Sequence, residues 1–321
     1  MNRSIGIVLA VLAQLAANVA TAQPFPSKVV RLVVPFPAGG SNDVVARAMS
    51  TPLSQALGQS VVVENRAGAN TVIGSEAVAR SPADRHTVLV SGFTLMSLAA
   101  LRTKLPFDPI KDFAAVTRIG TQPFLMSVHP SLPVKNIKEL VALARARPGQ
   151  LAYAVNGYGT AQHLSGELLK TRSNIDMKLV VFQGGAPSTI AVLGGHASIL
   201  ISTVPPALQH VTGGKLRALA VTSAERSILL KDVPTMMEAG VSDFDISGAM
   251  GIFAPAATPK EALERLNSEI VRAVQLPEVK SGLLRDGFVV STLSLAEYDA
   301  FMRDKIQLIR KIAAAAKIKL D

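Results

Sequence analysis

Short runs of β-branched residues alternate with longer segments of helical periodicity along most of this 321-residue chain. Residues 29–34 form the first such run. Residues 42–57 follow, with apolar side chains including Val44 on one side and Gly58 as the stop. The succession is repeated after residue 61 and in a second series over residues 137–222. Such alternation is typical of sheets flanked by helices, so the pattern predicts an α/β fold.

The amino terminus has the pattern of an export signal. Arg3 precedes an apolar stretch over residues 5–17, and Ala20 and Ala22 supply the small residues of a cleavage site. We therefore expect residues 1–22 to be a signal peptide that is cleaved after Ala22. A retained anchor is the alternative, but the stretch is short for a bilayer span, which needs roughly 20 apolar residues.

The composition excludes some classes of protein. The chain has no cysteine, which rules out disulfides, a thiol nucleophile and thiolate metal sites. Its length and its 49% hydrophobic content predict two domains, each held by an apolar core. The net charge of +10 suits a small anion or reflects a merely basic surface. Because the cations are scattered and only 4% of residues are aromatic, nucleic acid is not an expected partner.

The most informative motif is PFPAGGSND at residues 35–43, between the first predicted strand and the first predicted helix. Its two glycines let the backbone approach a ligand closely, and the helix that follows directs free amides and its positive dipole end to the same place. This arrangement suits a carboxylate. An ordinary turn, in which Ser41 or Asn42 caps the helix, would have the same spacing.

Two further glycine-bearing loops follow predicted strands, NGYGT at residues 156–160 and QGGAP at residues 183–187. Ligands of open α/β sheets bind beyond the carboxyl ends of the strands, so the three loops can face one cleft. None of the three has the lysine of a phosphate-binding loop or the G-x-G-x-x-G spacing of a dinucleotide fingerprint.

The sequence contains no recognisable catalytic set. No G-x-S-x-G elbow occurs, and the five histidines are not spaced as metal ligands. Asp243 and Asp245 could bind a hard cation, although a solvated loop is the simpler explanation. His163 can donate to an anion or serve in capping or packing. We expect no cofactor, no metal and no catalytic residue.

Several motifs occur in an order that resembles a known family of receptors. They are PFPAGG at 35–40 with Asp43, ENRAGA at 64–69, PFD at 106–108 with KDF at 111–113, GGAP at 184–187, LGG at 193–195, GKLRALAVT at 214–222, and DVPT at 232–235 with Glu238 and Gly240. Together with the signal peptide they resemble the tripartite tricarboxylate transporter substrate receptors, also called the Bug family. The similarity covers nearly the whole mature chain.

The resemblance implies a type II-like periplasmic binding protein, in which two domains of parallel or mixed sheets are joined by two hinge strands. Residues 23–123 plus 247–321 would form one domain and residues 124–246 the other, with the hinge in the apolar stretches 116–128 and 247–254. The implied function is capture of a small organic carboxylate by a periplasmic monomer that serves membrane transporter subunits or a sensor protein. An exported enzyme with a similar fold is the alternative.

The resemblance also assigns ligand contacts, made largely through main-chain amides. In the first loop these are Phe36, Ala38, Gly39, Gly40 and Ser41, with Asp43 supporting the loop. In the second domain they are Gly157, Tyr158, Gly159, Thr160, His163, Gly184, Gly185 and, following its strand, Ser202.

The chain departs from the family pattern at several positions. It has DRHT at residues 84–87 where the family often has Asp-Gly-Tyr-Thr, and VFQGG at residues 181–185 where the family often has Pro-Tyr-Lys-Gly-Gly. An Asp usual near Ser198 and a Trp usual near Met250 are also absent. The resemblance therefore predicts the fold and the mode of anion binding, but not which acid is bound.

Overall fold

The computed structural model describes residues 25–83, 86–182 and 184–318. The predicted signal peptide with its cleavage after Ala22 lies outside the described residues, and so do Asp84, Arg85 and Gln183. Within the described residues, no helix is long and apolar enough to span a membrane.

Strands and helices alternate along the described chain, largely as the sequence pattern predicts. The strands are β1 (Val30–Val34), β2 (Val61–Asn65), β3 (Thr87–Gly92), β4 (Phe113–Gln122), β5 (Phe124–Val128), β6 (Ala152–Val155), β7 (Lys178–Val181), β8 (Ile199–Thr203), β9 (Arg217–Val221), β10 (Gly248–Pro255) and β11 (Val289–Val290). The helices are α1 (Ser41–Leu57), α2 (Val72–Ala79), α3 (Phe93–Leu101), α4 (Ile137–Ala146), α5 (Ala161–Ser173), α6 (Gly185–Leu193), α7 (Val204–Thr212), α8 (Lys260–Gln275), α9 (Pro277–Arg285) and α10 (Leu295–Ala316).

The strands form two mixed sheets, which confirms the predicted α/β class. The first sheet has the order β11-β4-β10-β3-β1-β2, and the second has the order β7-β6-β8-β5-β9. Within the first, β1 is parallel to β2 and β3, while β10 is antiparallel to β3 and β4. Within the second, β6 is parallel to β7 and β8, and β5 is antiparallel to β8 and β9.

The chain passes between the sheets at two adjacent places. Only Pro123 separates β4 of the first sheet from β5 of the second. The chain returns to the first sheet at β10, where Gly248 is paired with Gln122 at the end of β4. The two crossings therefore lie side by side. The domain boundaries at residues 123/124 and 246/247 stay a prediction.

Apolar side chains pack helices on both faces of the first sheet. Leu32 and Val34 of β1 share one buried cluster with Met49 and Leu53 of α1. On the other face, the last helix α10 packs against α3 and also against α5 of the second sheet. An ion pair of 2.8 Å between Lys305 Nζ and Asp245 Oδ2 adds to this contact. Helix α10 thus packs against helices of both sheets.

Two helices and one buried face differ from the sequence prediction. Helices α3 and α7 were not predicted, because residues 93–101 are too apolar to show a helical period and residues 204–212 follow β8 without an intervening loop. Val44, predicted on the apolar side of α1, is 41% exposed, while Ala46 is fully buried. The apolar part of the buried face of α1 consists of Val45, Ala46, Met49, Leu53 and Leu57, and Val44 lies outside it.

Candidate functional site

A cleft of about 610 Å³ lies between the two sheets. Its first-sheet side consists of Phe36, Pro37, Gly40, Ser41, Asn42, Asn70, Gly92, Phe93, Thr94 and Phe288. Its second-sheet side consists of Phe124, Asn156, Tyr158, Gly159, Thr160, Ala161, Gln162, Gly184 and Thr203. Gln122, Gly248 and Ala249, at the two crossings, line it as well. The loops after β6 and β7 lie at the same edge of the second sheet because these strands are parallel, and the loop after β1 lines the cleft from the first sheet.

The first loop is held by a buried carboxylate rather than by a capped helix end. Gly39 has a φ of +83°, which favours glycine, and its amide donates to Asp43 Oδ2 at 2.8 Å. Arg47 Nε donates to the same oxygen at 3.0 Å, and Asn65 Nδ2 donates to Asp43 Oδ1 at 2.9 Å. Asn65 also donates to the carbonyl of Phe36 at 3.2 Å. Asp43 therefore ties the loop to α1 and β2.

These partners keep Asp43 ionised. Burial of the carboxyl opposes ionisation, but hydrogen bonds from Arg47, the Gly39 amide and Asn65, with the charge of Arg47, together lower the pKa of Asp43 below its ordinary value. The negative charge of Asp43 is thus engaged behind the loop. It does not belong to the cleft wall.

The amino-terminal end of α1 is open toward the cleft. Its N-cap residue is Gly40, in an extended conformation and without a side-chain hydrogen bond to the helix. The alternative, in which Ser41 or Asn42 caps the helix, is therefore wrong. Because the first amides of a helix have no carbonyl one turn earlier, those of Ser41 and Asn42 have no acceptor among the described residues. They offer donors at the positive end of the helix dipole.

The second loop has a different support. Thr160 is the N-cap of α5, and its Oγ1 accepts from the His163 amide at 3.3 Å. The amide of Gly159, a residue with φ of +74°, donates to His163 Nδ1 at 3.0 Å. Ser97 of α3 donates to the carbonyl of Gly159 at 2.7 Å, which links this loop to the first-sheet side.

His163 is a buried, neutral support of this loop. Burial lowers the pKa of His163 to about 4, although Glu167 acts in the opposite direction. The Tyr158 ring lies 4.5 Å from the His163 ring, centroid to centroid, so the imidazole also positions a side chain of the cleft wall. The structure therefore shows His163 in a packing and loop-supporting position; its contact with a ligand stays a prediction.

The third loop brings backbone without side chains to the wall. Gly184 has a φ of +109° and begins α6 as its N-cap. A Cβ atom added at Gly184 or Gly185 would meet no other atom within 4 Å, which shows that both face open space. Ser202 was expected after its strand, but it lies inside β8 and its Oγ bonds to the carbonyl of Thr203 at 3.1 Å. Thr203, one residue later, lines the cleft instead.

The predicted site residues fall into two groups. Phe36, Gly40, Ser41, Tyr158, Gly159, Thr160 and Gly184 line the cleft. Ala38, Gly39, Asp43, Gly157, His163, Gly185 and Ser202 lie beside these in the chain but outside the wall. Their assignment as ligand contacts stays a prediction.

Sequence reasoning missed the floor of the cleft. Gln122, Phe124 and Gly248 meet there because the two crossings are adjacent. Gly92 is also part of the wall, and a Cβ at this position would lie 1.8 Å from the carbonyl oxygen of Ala249. Phe93 and Thr94 follow Gly92 at a strand-to-helix junction, which is the signal that could have identified them had α3 been predicted.

One wall residue has an unused hydrogen-bonding atom. Asn156 Oδ1 is buried and has no hydrogen-bond donor among the described residues. Because buried polar atoms are normally paired, this oxygen is available to accept a hydrogen bond from a ligand. Asp245, considered with Asp243 as a possible cation ligand, instead pairs with Lys305, and no group of side chains suited to a metal ion occurs among the described residues.

Comparisons with known proteins agree with this architecture. A family model described as "Tripartite tricarboxylate transporter family receptor" matches residues 45–318. Protein BugT of Bordetella pertussis is 35% identical over 319 residues, covering 98% of this chain and 97% of BugT.

Two solved structures are also similar over most of their length. Rpa4515 of R. palustris with adipate is 32% identical, with a TM-score of 0.80, and the match covers 92% of this chain and 99% of that one. MatC (Rpa3494) of Rhodopseudomonas palustris with bound malate is 28% identical, with a TM-score of 0.75, over 90% of this chain and 99% of that one. The chain therefore belongs to the tripartite tricarboxylate transporter receptor family, a family of periplasmic solute-binding proteins.

Proposed function

We propose that this chain is a periplasmic receptor that captures a small organic carboxylate in the cleft between its two sheets. The observation that carries the proposal is the open end of α1, where the amides of Ser41 and Asn42 have no acceptor among the described residues and face a cleft whose described lining has no acidic side chain. Adipate and malate in the two similar solved structures support the class of ligand.

The hydrogen bonds that we propose for the carboxylate come from main-chain donors on both sides of the cleft. The first turn of α1 would bind the carboxylate from the first-sheet side, and the loop at residues 157–160 would approach it from the other. Such amides are already oriented before the ligand arrives, so little free energy is spent on ordering side chains. Asp43 and His163 would act only by holding these loops in place.

Closure would rotate residues 124–246 against residues 23–123 plus 247–321 about the adjacent crossings. Both crossings lie in paired strands at the floor of the cleft, so the loops at the mouth would move farthest. The closed form would then be selected by membrane transporter subunits or by a sensor protein. Export would require residues 1–22, with cleavage after Ala22, and the mature receptor would act as a monomer without a cofactor.

Calorimetric titration of the protein lacking residues 1–22 with a panel of carboxylates tests the proposal. The informative variant is Gly40→Leu, because Gly40 has φ −77° and ψ 163°, which any residue adopts, and a Cβ there lies 3.5 Å from the Pro37 carbonyl oxygen. The new side chain should occupy the anion site without unfolding the protein. Binding of the preferred acid should weaken at least about tenfold, which is about 1.4 kcal/mol.

Gly282→Leu on α9 is the matched control, because a Cβ at Gly282 meets only Arg285 Nη2 at 3.7 Å, far from the cleft wall. Normal binding by Gly40→Leu would remove the first loop from the site. If no acid bound and one were chemically converted, the exported enzyme would replace the receptor as the explanation.

A further inference from the structure

The apolar part of the cleft wall is aromatic. The chain contains 11 Phe, 3 Tyr and no Trp, and Phe36, Phe93, Phe124, Phe288 and Tyr158 all line the cleft. No Leu, Ile, Val or Met occurs among the described lining residues, although such residues fill both cores. Five of the 14 aromatic residues of the chain therefore line the cleft, and a second group of five, Phe107, Phe113, Phe253, Tyr298 and Phe301, packs within the core.

The rings come from both sides of the cleft and several are fixed in place. Phe124 lies at the floor, where a Cβ on Gly248 would be 3.1 Å from Phe124 Cζ. Phe288 is buried at the same end, following Gly287, whose φ is +79°. Tyr158 stands on the opposite side against the His163 ring. A flat ligand entering the cleft would therefore meet rings from both sheets.

The charges of the wall argue against a second carboxylate. No Lys or Arg is among the described lining residues, so a second anionic group would have only neutral donors, and the amides of the first turn of α1 would already be taken by the first carboxylate. The faces of aromatic rings carry partial negative charge, which disfavours an anion lying on them. A carboxylate that loses water without charge-assisted hydrogen bonds is costly, whereas a ring packed against other rings gains from burial and from edge-to-face contacts.

Building on the proposed function, we propose that the ligand is an aromatic monocarboxylate. Its carboxylate binds at the open end of α1, and its ring lies toward the floor against Phe124, Phe288 and Phe93, with Tyr158 on the second-sheet side.

Competitive and direct titrations with a matched panel test this inference. The panel contains benzoate, 4-hydroxybenzoate, cyclohexanecarboxylate, benzamide, malate and adipate. We expect an aromatic acid to bind at least about tenfold more tightly than malate, adipate or cyclohexanecarboxylate, and we expect benzamide, which lacks the charge, to bind far more weakly than benzoate.

The outcomes separate the two proposals. Binding of malate or adipate at least as tightly as the aromatic acids would overturn the aromatic class and leave the carboxylate receptor standing. Equal binding of benzamide and benzoate would contradict the proposal that the main-chain amides recognise a carboxylate. Failure of every acid in the panel to bind would contradict both proposals.

Substitutions that keep apolar volume but remove the ring give a second measurement. In Phe93→Leu and Tyr158→Leu, the preference for benzoate over cyclohexanecarboxylate should fall at least about threefold while cyclohexanecarboxylate affinity changes less. Phe301→Leu is the control, since the Phe301 ring, on α10, lies under the Arg118 guanidinium and does not line the cleft. An unchanged preference in both cleft variants would exclude these rings from ligand recognition.

Discussion

The Ser97 hydroxyl donates a 2.7 Å hydrogen bond to the carbonyl oxygen of Gly159, joining a helix of the first-sheet side to a loop of the second. Both groups are buried, so Ser97→Ala would leave the carbonyl without its donor. We expect the free energy of unfolding to fall by about 1–3 kcal/mol, measured by urea denaturation. Ser268→Ala, which removes a bond to the Arg265 carbonyl on the exposed side of α8, should change it by less than about 0.5 kcal/mol. Equal losses in the two variants would show that the hydrogen bond between Ser97 and Gly159 contributes no more to the free energy of unfolding than an exposed one.

Asp43 should make the stability of the protein sensitive to acid. Its pKa is lower in the folded chain than in the unfolded chain, so its contribution is complete above about pH 4 and is lost as the pH falls through the folded value. Asp43→Asn should cost about 1.5–3 kcal/mol at neutral pH, and this difference from the wild type should shrink below pH 4. Urea denaturation across pH checks it, with the exposed Asp304→Asn as control. A difference that stayed constant with pH would contradict the assignment.

Protonation of His163 should destabilise the protein as the pH falls from about 6.5 toward 4. Its pKa is about 4 in the fold and near 6.5 when unfolded, so the unfolded chain binds the extra proton between these values. Stability is therefore full above about pH 6.5 and falls by up to about 1.4 kcal/mol per pH unit toward pH 4. His163→Asn should flatten this part of the profile, whereas His196→Asn at an exposed site should leave it unchanged. An equally steep profile in His163→Asn would assign the loss to other groups.

The neutrality of the Asn156 side chain should be needed for an anion to bind in the cleft. The isosteric change Asn156→Asp places a carboxylate in the wall beside the proposed anion site, and like charges at short range repel strongly where water is excluded. We expect the affinity for the preferred acid to fall at least about tenfold in calorimetric titration. Asn174→Asp, at the exposed end of α5, should bind normally. Unimpaired binding by Asn156→Asp would place the carboxylate elsewhere.

Two buried tyrosines should respond differently to loss of the hydroxyl. Tyr153 Oη donates to Glu167 Oε1, and Tyr153→Phe should lower the free energy of unfolding by about 1–3 kcal/mol because a buried carboxylate loses a donor. Tyr298 Oη has no partner among the described residues, so Tyr298→Phe should be neutral within about 0.5 kcal/mol or stabilising. Thermal denaturation of both variants measures the contrast. A large loss in Tyr298→Phe would reveal a partner for its hydroxyl.

Features that depend on neighbours in sequence were predicted well. Gly58, predicted as the stop of the first helix, ends α1 in the left-handed conformation. The glycine loops at residues 35–43, 156–160 and 183–187 begin helices as expected. Each of these depends on interactions within a few residues, which local sequence specifies.

Features that depend on what packs around a segment were predicted poorly. Helix α3 has Leu95, Met96 and Leu98 fully buried, so it shows no polar face whose period could reveal it. Val44 is as apolar as its neighbour Val45, yet only Val45 is buried. Thr203 rather than Ser202 lines the cleft, because β8 continues through Ser202 to Thr203 instead of ending before Ser202, and side chains alternate along a strand.

The sequence by itself determined the α/β class, the glycine loops and the helix ends that follow them. Only the tertiary structure decided that Asp43 is held by Asn65 and Arg47, and that His163 supports Gly159 from within its loop. It also decided the aromatic floor, where Phe124 and Phe288, which are 164 residues apart in sequence, both line the cleft and Gln122 donates a hydrogen bond to the Asp286 carbonyl beside them. Local rules act over one or two turns of chain, whereas a cleft is assembled by strand pairing across the whole fold.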